Sequence, residues 1–199
     1  MSDAPILTAL RTATRALHDA TERYAYAAEI RDRTLRPEQL TDLLRKQKHL
    51  HRHFDERLAR SASLLPFEHP LLPLLRTRRA DWLPNFPSDA SAPPDRLPPY
   101  ASPAELVGAL YVILGSSMGS RMIAKQLART PTLERTDFRF YERMGEAGGR
   151  EWRVFLDFLR QTPWTEAQIQ TASQSARATF ARFERVFREG TDGVTSELS

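Results

Sequence analysis

The sequence predicts an all-α fold, built as one helical bundle, and three observations support this prediction. Apolar residues recur at helical spacing along most of the chain, no segment alternates as a half-buried strand does, and no internal repeat is present. The chain has 199 residues, 41% of them hydrophobic, which suffices for one domain with a core. We therefore expect residues 1–199 to form a single domain, with a flexible tail over about 190–199.

Helical periodicity places the elements in chain order. The expected helices cover residues 6–27, 37–58, 71–82, 103–129, 133–144, 150–159 and 166–188. Pro37 fits the first turn of the second helix, and Ser102, Pro103 and Glu105 together predict a capped helix start. Ten prolines between residues 66 and 103 predict a surface loop around one short helix.

The adjacent glycines Gly148 and Gly149 interrupt the helical pattern near the end of the chain. They predict a break between the helix that ends near residue 144 and the helix that begins near residue 150. Beyond this break we expect aromatic anchors in the core, namely Phe155, Phe158, Phe180, Phe183 and Phe187.

Composition narrows the function classes. Because cysteine is absent, disulfides, thiolate metal ligands and a cysteine nucleophile are excluded, and a bound metal would need nitrogen or oxygen ligands. The 29 basic and 25 acidic residues are spread along the chain without a basic stripe, so we expect no nucleic-acid partner. An arginine-rich nucleic-acid binder remains the non-enzyme alternative. Neither a secretory signal nor a run of about 18 apolar residues is evident, so we expect a cytoplasmic protein without a membrane partner.

Two segments suit a ligand-binding site. In the first, His18 is followed one turn later by Glu22. A neutral imidazole ligates iron through one nitrogen while an acceptor holds the other, although a lone helix histidine is more often an ordinary surface residue. In the second, Gly115 and Gly119 lie four residues apart in an apolar helical run. Because a glycine there costs about 1 kcal/mol relative to alanine, the pair indicates that a ligand or a neighbouring helix approaches the backbone closely.

The histidines His49, His51 and His53 resemble a metal cluster at first sight. Residues two apart on a helix point in different directions, so only His49 and His53 share a face. We therefore predict a solvated helix surface at these positions rather than a metal site. The paired Glu-x-x-His motifs of di-iron carboxylate proteins are also absent from the sequence.

Four segments of the chain resemble the haem oxygenases, in particular the compact bacterial enzymes. Residues 14–22, TRALHDATE, and residues 108–119, GALYVILGSSMG, carry the most specific similarity. Residues 149–155 and 180–187 extend it, so that the resemblance covers most of the chain. It implies a haem-oxygenase-like bundle in which haem b is sandwiched between the first helix and a glycine-kinked distal helix.

The resemblance also implies roles for individual residues. His18 resembles the iron ligand, with Glu22 on its far nitrogen, and the backbone at Gly115 and Gly119 resembles the part of the distal helix that contacts the other haem face. Ser116 occupies the position at which some members carry an aspartate that orders distal water, and these three distal residues form the expected catalytic set.

Further expected haem contacts come from the first helix, the distal helix and the last helix. Arg11 matches a basic propionate anchor on the first helix, and Tyr111 matches a distal-helix tyrosine that reaches a propionate. Arg177 and Phe180 of the last helix complete the expected cofactor contacts. Two positions depart from the family pattern and bear on the distal water network: Leu114, where many relatives have glutamate, and Ser120, where glycine or alanine is usual.

The implied activity is oxidative cleavage of haem, as both cofactor and substrate, to biliverdin, carbon monoxide and ferrous iron. Biliverdin IXα is the expected isomer. The reaction needs O2 and an external electron donor, a ferredoxin or a reductase, because the sequence has no dinucleotide-binding fingerprint. A biliverdin-accepting photoreceptor is a further candidate partner, and haem breakdown for iron is the other candidate purpose. The alternative is a non-catalytic haem sensor or carrier on the same fold.

Overall fold

The computed structural model describes residues 4–86, 97–134 and 138–189, and these residues form helices and no strand. The all-α prediction is therefore confirmed. The helices are α1 (Pro5–Tyr24), α2 (Ala27–Asp32), α3 (Pro37–Arg60), α4 (Leu72–Arg76), α5 (Pro103–Met118), α6 (Ser120–Leu127), α7 (Arg139–Gln161) and α8 (Glu166–Arg188), with single 3₁₀ turns at Ala62–Leu64 and Arg79–Trp82. The single domain stays a prediction, and the tail expected over 190–199 lies outside the described residues.

Helix α8 lies at the centre of the packing, because it contacts both α1 and α5, while α7 covers α5 and α6. The backbones of α5 and α8 approach most closely at Gly108. A Cβ built at Gly108 would overlap the carbonyl group of Ala172, so only glycine allows this contact. The close approach brings the middle of α5 beside the aromatic face of α8, where the candidate site lies.

The start of α5 forms as the sequence predicts. Ser102 is extended and its hydroxyl accepts a hydrogen bond from the Glu105 amide at 3.2 Å, while the Glu105 carboxylate accepts one from the Ala101 amide at 2.8 Å. Pro103 occupies the first turn, where its missing N–H is not needed. These reciprocal bonds satisfy donors that the helix itself leaves unpaired.

The sequence analysis found no apolar run long enough to span a membrane. By length and composition, however, the segment Pro103–Leu127 is apolar enough to cross one. More than half of its apolar window is buried inside the protein, as in a core helix. Gly119 interrupts the segment between α5 and α6 with φ −77° and ψ −18°, a conformation open to any residue. The helix is thus interrupted at the position where the kink was expected, and glycine is not required there for its backbone freedom.

The break predicted at Gly148 and Gly149 is wrong, because both residues lie inside the continuous helix α7. The expected helices over 133–144 and 150–159 are accordingly one element. Gly148 packs against Ser117 of α5 so closely that a Cβ would overlap the serine side chain. Gly145 packs in the same way on the backbone of Arg121, with 2.9 Å from an added Cβ to the amide nitrogen. Interhelical contact thus explains these two glycines.

The helix predicted over 71–82 is divided into α4 and the 3₁₀ turn Arg79–Trp82. The turn is fixed from outside: the Asp55 carboxylate accepts a hydrogen bond from the Ala80 amide at 2.8 Å. The fully buried Arg79 pairs with Glu151 of α7 through Nη2 and Oε2. These contacts attach the turn to α3 and α7. They are tertiary contacts, so the helical periodicity of the sequence does not predict them.

The first helix ends at Tyr24 rather than near residue 27, because Tyr26 adopts a left-handed conformation with φ 55°. The short helix α2 follows, which the sequence analysis missed. The Tyr26 hydroxyl donates to Asp42 of α3 at 2.9 Å, and Asp42 also pairs with Lys46 at 2.7 Å.

Two lysines are buried in α3 and connect it to other elements. Lys46 donates from Nζ to the Phe187 carbonyl at 3.0 Å, at the end of α8. Lys48 donates to the Leu83 carbonyl at 3.2 Å and to Asn85 at 2.9 Å. Because each ammonium finds oxygen acceptors, its burial is compensated.

Candidate functional site

A pocket of about 330 Å³ lies between α1, α5 and α8, with further walls from α3 and α7. This volume falls at the lower end of the range typical of small-molecule sites. Six of the nine predicted site residues line the pocket: His18, Glu22, Tyr111, Gly115, Ser116 and Phe180. Residues that lie about a hundred positions apart in the sequence thus share one concave surface.

His18 lies on the α1 wall with about half of its side chain exposed. Its Nδ1 is 3.7 Å from Glu22 Oε1 and 3.9 Å from Asp19 Oδ1, beyond hydrogen-bond distance but close enough for charge attraction. The Phe180 ring and the imidazole meet in an edge-to-face arrangement. Because the carboxylates lie beside Nδ1, Nε2 is the nitrogen left for a ligand in the pocket.

The α5 wall has little side-chain bulk where it faces His18. A Cβ built at Gly115 would come no closer than 3.9 Å to the Trp152 ring, and a Cβ at Gly119 would meet no atom within 4 Å. Ser116 is exposed, and its hydroxyl donates to the Ile113 carbonyl at 2.8 Å, which leaves the hydroxyl oxygen able to accept. The α5 wall therefore offers backbone at Gly115 and one hydroxyl at Ser116, beside the side chains of Tyr111, Val112 and Met118.

Tyr111 closes one side of the pocket, with its ring tilted against Trp152 at 5.7 Å between centroids. Burial raises the pKa of the Tyr111 hydroxyl above its usual range, and the Thr14 hydroxyl and then the charge of Arg11 partly oppose that shift. Arg11 is therefore near Tyr111 although it does not line the pocket.

Three predicted site residues are not part of the pocket lining: Arg11, Gly119 and Arg177. Gly119 ends α5 just beyond the wall. Arg177 is exposed on α8, one turn before Phe180. The structure therefore brings the predicted histidine, carboxylate, aromatic and α5 groups together but leaves the two arginines outside.

Leu114 and Ser120, the two positions that depart from the family pattern, lie behind the α5 wall of the pocket. Leu114 is fully buried in the hydrophobic core. Ser120 is 2% exposed, and its hydroxyl donates to the Ser116 carbonyl at 3.4 Å across the break between α5 and α6. Neither residue lines the pocket, so neither departure alters the surface that a ligand would meet.

Several lining residues were missed by the sequence analysis. Thr14 and Thr21 lie four residues before and three after His18, so helical spacing on the same face could have identified them. Trp152 lies within the similar segment 149–155 but was given no role. Gln47 reaches the pocket from α3, and no local sequence pattern indicates where α3 packs against the other helices.

The solvated surface predicted for the α3 histidines is wrong at two of the three positions. His51 is fully buried and His53 is 4% exposed, whereas His49 is exposed. Burial lowers the pKa of His51 to about 3, with the charge of Arg79 adding to the shift. Within residues 4–86, 97–134 and 138–189, no three potential metal-ligating side chains cluster. These positions are buried because α3 contacts the 3₁₀ turn Arg79–Trp82 on one side and α8 on another.

Comparison with known proteins supports one family. The family model described as Heme oxygenase matches residues 89–189, slightly more than half of the chain. A curated relative, "Heme oxygenase" from Xanthomonas campestris pv. campestris (strain 8004), is 37% identical over 98 residues, which are 49% of this chain and 56% of the relative. The chain thus spans only a little over half the length of that relative. No solved structure matches the chain. The family match includes α5 to α8 but not α1.

Proposed function

The chain belongs to the haem oxygenase family, and from that premise we propose that it binds haem b in the pocket between α1 and α5 and cleaves it oxidatively. The observation that carries the proposal is the position of His18, which shares the pocket with the glycine-containing wall of α5. Because α1 lies outside the family match, this geometry supports the role of His18 independently of the comparison.

The residues present fit a haem group. A flat macrocycle needs a slot with apolar and aromatic walls, an imidazole on one face and little side-chain bulk on the other. The pocket offers His18 on one side, Gly115 on the other, and Trp152, Phe180 and Phe183 as aromatic surface. An added Cβ at Gly115 would make an ordinary van der Waals contact with the Trp152 ring and would meet no closer atom. Bound haem supplies the iron that activates O2 and the ring that is cleaved.

On the α1 side, His18 is the proposed iron ligand through Nε2. Glu22 and Asp19 lie beside Nδ1 at 3.7 and 3.9 Å, and their negative charge favours a proton on that nitrogen. A proton held on Nδ1 leaves Nε2 with the lone pair that iron requires. We propose that this charge favours the tautomer that leaves Nε2 free for iron.

On the α5 side, Gly115, Ser116 and Gly119 are the proposed distal residues. Gly115 keeps the ligand face free of a side chain, and Gly119 ends the helix just beyond. The Ser116 oxygen can accept a hydrogen bond from water while its own O–H donates to the Ile113 carbonyl. Ser116 would thus hold one end of a water chain that carries protons to the reacting face.

The proposed products are biliverdin, carbon monoxide and ferrous iron, with biliverdin IXα as the isomer. Electrons come from an external ferredoxin or reductase, and the cytoplasm is the expected location. Arg11 and Tyr111 are the proposed propionate contacts, supported by the effect of the Arg11 charge on Tyr111. Arg177 lies outside the lining and remains a weaker candidate. A biliverdin-accepting photoreceptor is the proposed downstream partner.

Reconstitution with haem tests the function. With ascorbate or a ferredoxin and its reductase under O2, we expect the Soret band to disappear while biliverdin absorption and carbon monoxide appear. His18→Ala should abolish this turnover, because the iron loses its protein ligand. Intact haem after many reducing equivalents would instead support a sensor or carrier. The position of Leu114 and Ser120 behind the wall argues against that alternative, since neither residue lines the pocket.

A further inference from the structure

A second cavity, of about 750 Å³, lies on the opposite side of α8 from the haem pocket. Helix α8 directs Phe180, Phe183 and Phe187 toward the pocket, and Ala178 and Ala181 toward this second cavity. With 3.6 residues per turn, these two sets fall on opposite faces of the helix. The other walls come from α3, the first turn of α5 and the chain at residue 97. We call this cavity the arginine groove, after Arg57, Arg182, Arg185 and Arg188, which line it.

The arginine groove is lined by more basic than acidic side chains. Four arginines and one acidic residue, Glu105, line it. Folding brings Arg57 of α3 beside the three arginines of α8. A cavity lined by one sign of charge focuses the field and raises the local concentration of the opposite ion.

Two of the four guanidinium groups are held in place. Arg57 stacks on the Tyr100 ring at 3.8 Å from its centroid and donates from Nε to the Pro98 carbonyl at 2.9 Å. Arg182 is half-buried, with Nη2 at 3.4 Å from His53 Nδ1. Because these side chains are already ordered, a ligand that binds them loses less of its affinity to side-chain entropy.

Two acidic residues, Glu105 and Glu189, lie in or beside the groove. The Glu105 carboxylate accepts a hydrogen bond from the Ala101 amide in the helix start. Arg185 is 4.0 Å from Glu189, and both side chains are more than half exposed, a geometry in which ion pairs contribute little. Arg182, Arg185 and Arg188 are spaced by three residues, so the Cα atoms of neighbouring arginines are offset by about 4.5 Å along the helix axis.

We propose that the arginine groove binds a small molecule that carries two or more carboxylate or phosphate groups. The planar guanidinium pairs with both groups through parallel N–H donors, and the spacing lets two anionic groups of one molecule each meet an arginine. The volume falls within the range of small-molecule sites. The charges line a concavity rather than an extended stripe, which favours a small ligand over a nucleic acid.

Isothermal titration calorimetry of the full chain tests this site, with pyrophosphate as the phosphate probe and citrate as the carboxylate probe. We expect saturable one-to-one binding of at least one probe, weakened by added NaCl. The difference between the two probes identifies the preferred anion. Ala178→Glu places a carboxylate on the groove wall and should weaken binding about tenfold or more, whereas the size-matched Ala178→Gln should bind like the unmodified chain.

A second pair of variants tests the site even if Ala178→Glu does not fold. Arg185→Gln removes an exposed groove charge and should also weaken binding, whereas Arg153→Gln removes an exposed charge of α7 outside the groove and should not. Equal weakening in both would mean that only net charge matters and would overturn the site. Absence of saturable binding by both probes would overturn it as well. Binding of a DNA fragment without either small anion would overturn the ligand class.

Discussion

The ring of Phe180 of α8 and the imidazole of His18 of α1 meet edge to face, at 66° between the ring planes and 5.9 Å between centroids. The carboxylates of Asp19 and Glu22 lie beside the same imidazole, 3.9 and 3.7 Å from Nδ1. An exposed helix histidine would otherwise sample several rotamers. The contact therefore supports a histidine that is oriented before a ligand arrives.

His18→Ala should remove the axial ligand of bound haem. We expect a shifted Soret band and altered iron coordination in the absorption and resonance Raman spectra, and added imidazole should restore part of the original spectrum. His49→Ala, at an exposed histidine outside the pocket, is the matched control and should leave the spectrum unchanged. An unchanged axial-ligand spectrum in His18→Ala would mean that another residue binds the iron.

Gly115→Leu should obstruct the α5 side of the pocket, because the added side chain enters the space that faces His18. Carbon monoxide binding to the ferrous complex should weaken about tenfold, which corresponds to ~1.4 kcal/mol. Gly149→Leu makes the same change at an exposed site on α7 and should have no effect. Gly119→Leu should have a smaller effect than Gly115→Leu, because Gly119 does not line the pocket. Unaltered ligand affinity in Gly115→Leu would place the haem elsewhere.

Arg11→Ala should change the regiochemistry of cleavage more than haem affinity. An exposed arginine–propionate pair contributes only about 1 kcal/mol, so the Kd for haem should rise less than about tenfold. The loss of a fixed propionate contact should nevertheless produce a mixture of biliverdin isomers. Chromatography of the products would measure this, with Arg23→Ala as the control on the same helix. The same single isomer from both variants would exclude Arg11 as the orienting residue.

Asp55 and His51 should give the free energy of unfolding opposite dependences on pH. Burial raises the pKa of Asp55 to about 7, so its contribution to stability declines as pH rises from about 4 to 7. Burial lowers the pKa of His51 to about 3, so its contribution grows as pH rises from about 3 to 6.5. The two slopes oppose each other between about pH 4 and 6.5.

Asp55→Asn removes the contribution of Asp55 to the pH dependence of stability. The asparagine keeps an oxygen that can accept the hydrogen bond from the Ala80 amide. Its free energy of unfolding should therefore increase with pH in that window, by at most about 1.4 kcal/mol per pH unit relative to the unmodified chain. Urea titrations at several pH values would measure this difference. Parallel pH profiles for the two proteins would show that Asp55 ionises alike in the folded and unfolded states.

Gly148→Ala should destabilise the fold although alanine is the better helix former. The added methyl group overlaps Ser117, and overpacking costs about 1–3 kcal/mol against a propensity gain of about 1 kcal/mol. Gly149→Ala, beside open space, should instead stabilise the protein. Ser117→Gly should recover part of the loss in a double-mutant cycle. A more stable Gly148→Ala would mean that α5 and α7 separate without cost.

The sequence predicted the elements whose determinants are local. The Ser102 cap and the apolar period of α5 mark that helix without reference to any neighbour. The α7 break was wrong because the local cost of glycine is visible in the sequence, whereas the contact of Gly148 with Ser117 is tertiary. Helix α2 was missed because its boundaries are two left-handed residues, Tyr26 and Arg33, that are not glycine.

The candidate site also combines residues that the sequence identifies with residues that it does not. The pocket residues His18, Gly115 and Ser116 lie on helices whose periodicity and motifs identify their faces. Gln47 and the burial of His51 depend on where α3 docks, which local patterns do not specify. The arginine groove also depends on docking, because Arg57 of α3 joins the three arginines of α8 only on folding.

The burial of Lys46 and Lys48 gives the protein a narrow reactivity toward amine-directed reagents. The chain has three lysines, and of these Lys125 on α6 is the exposed one. A succinimidyl dye should therefore label a lysine side chain at a single position. That position lies six residues after Gly119, where α5 gives way to α6. A fluorophore on Lys125 would consequently report on the distal segment without an engineered cysteine.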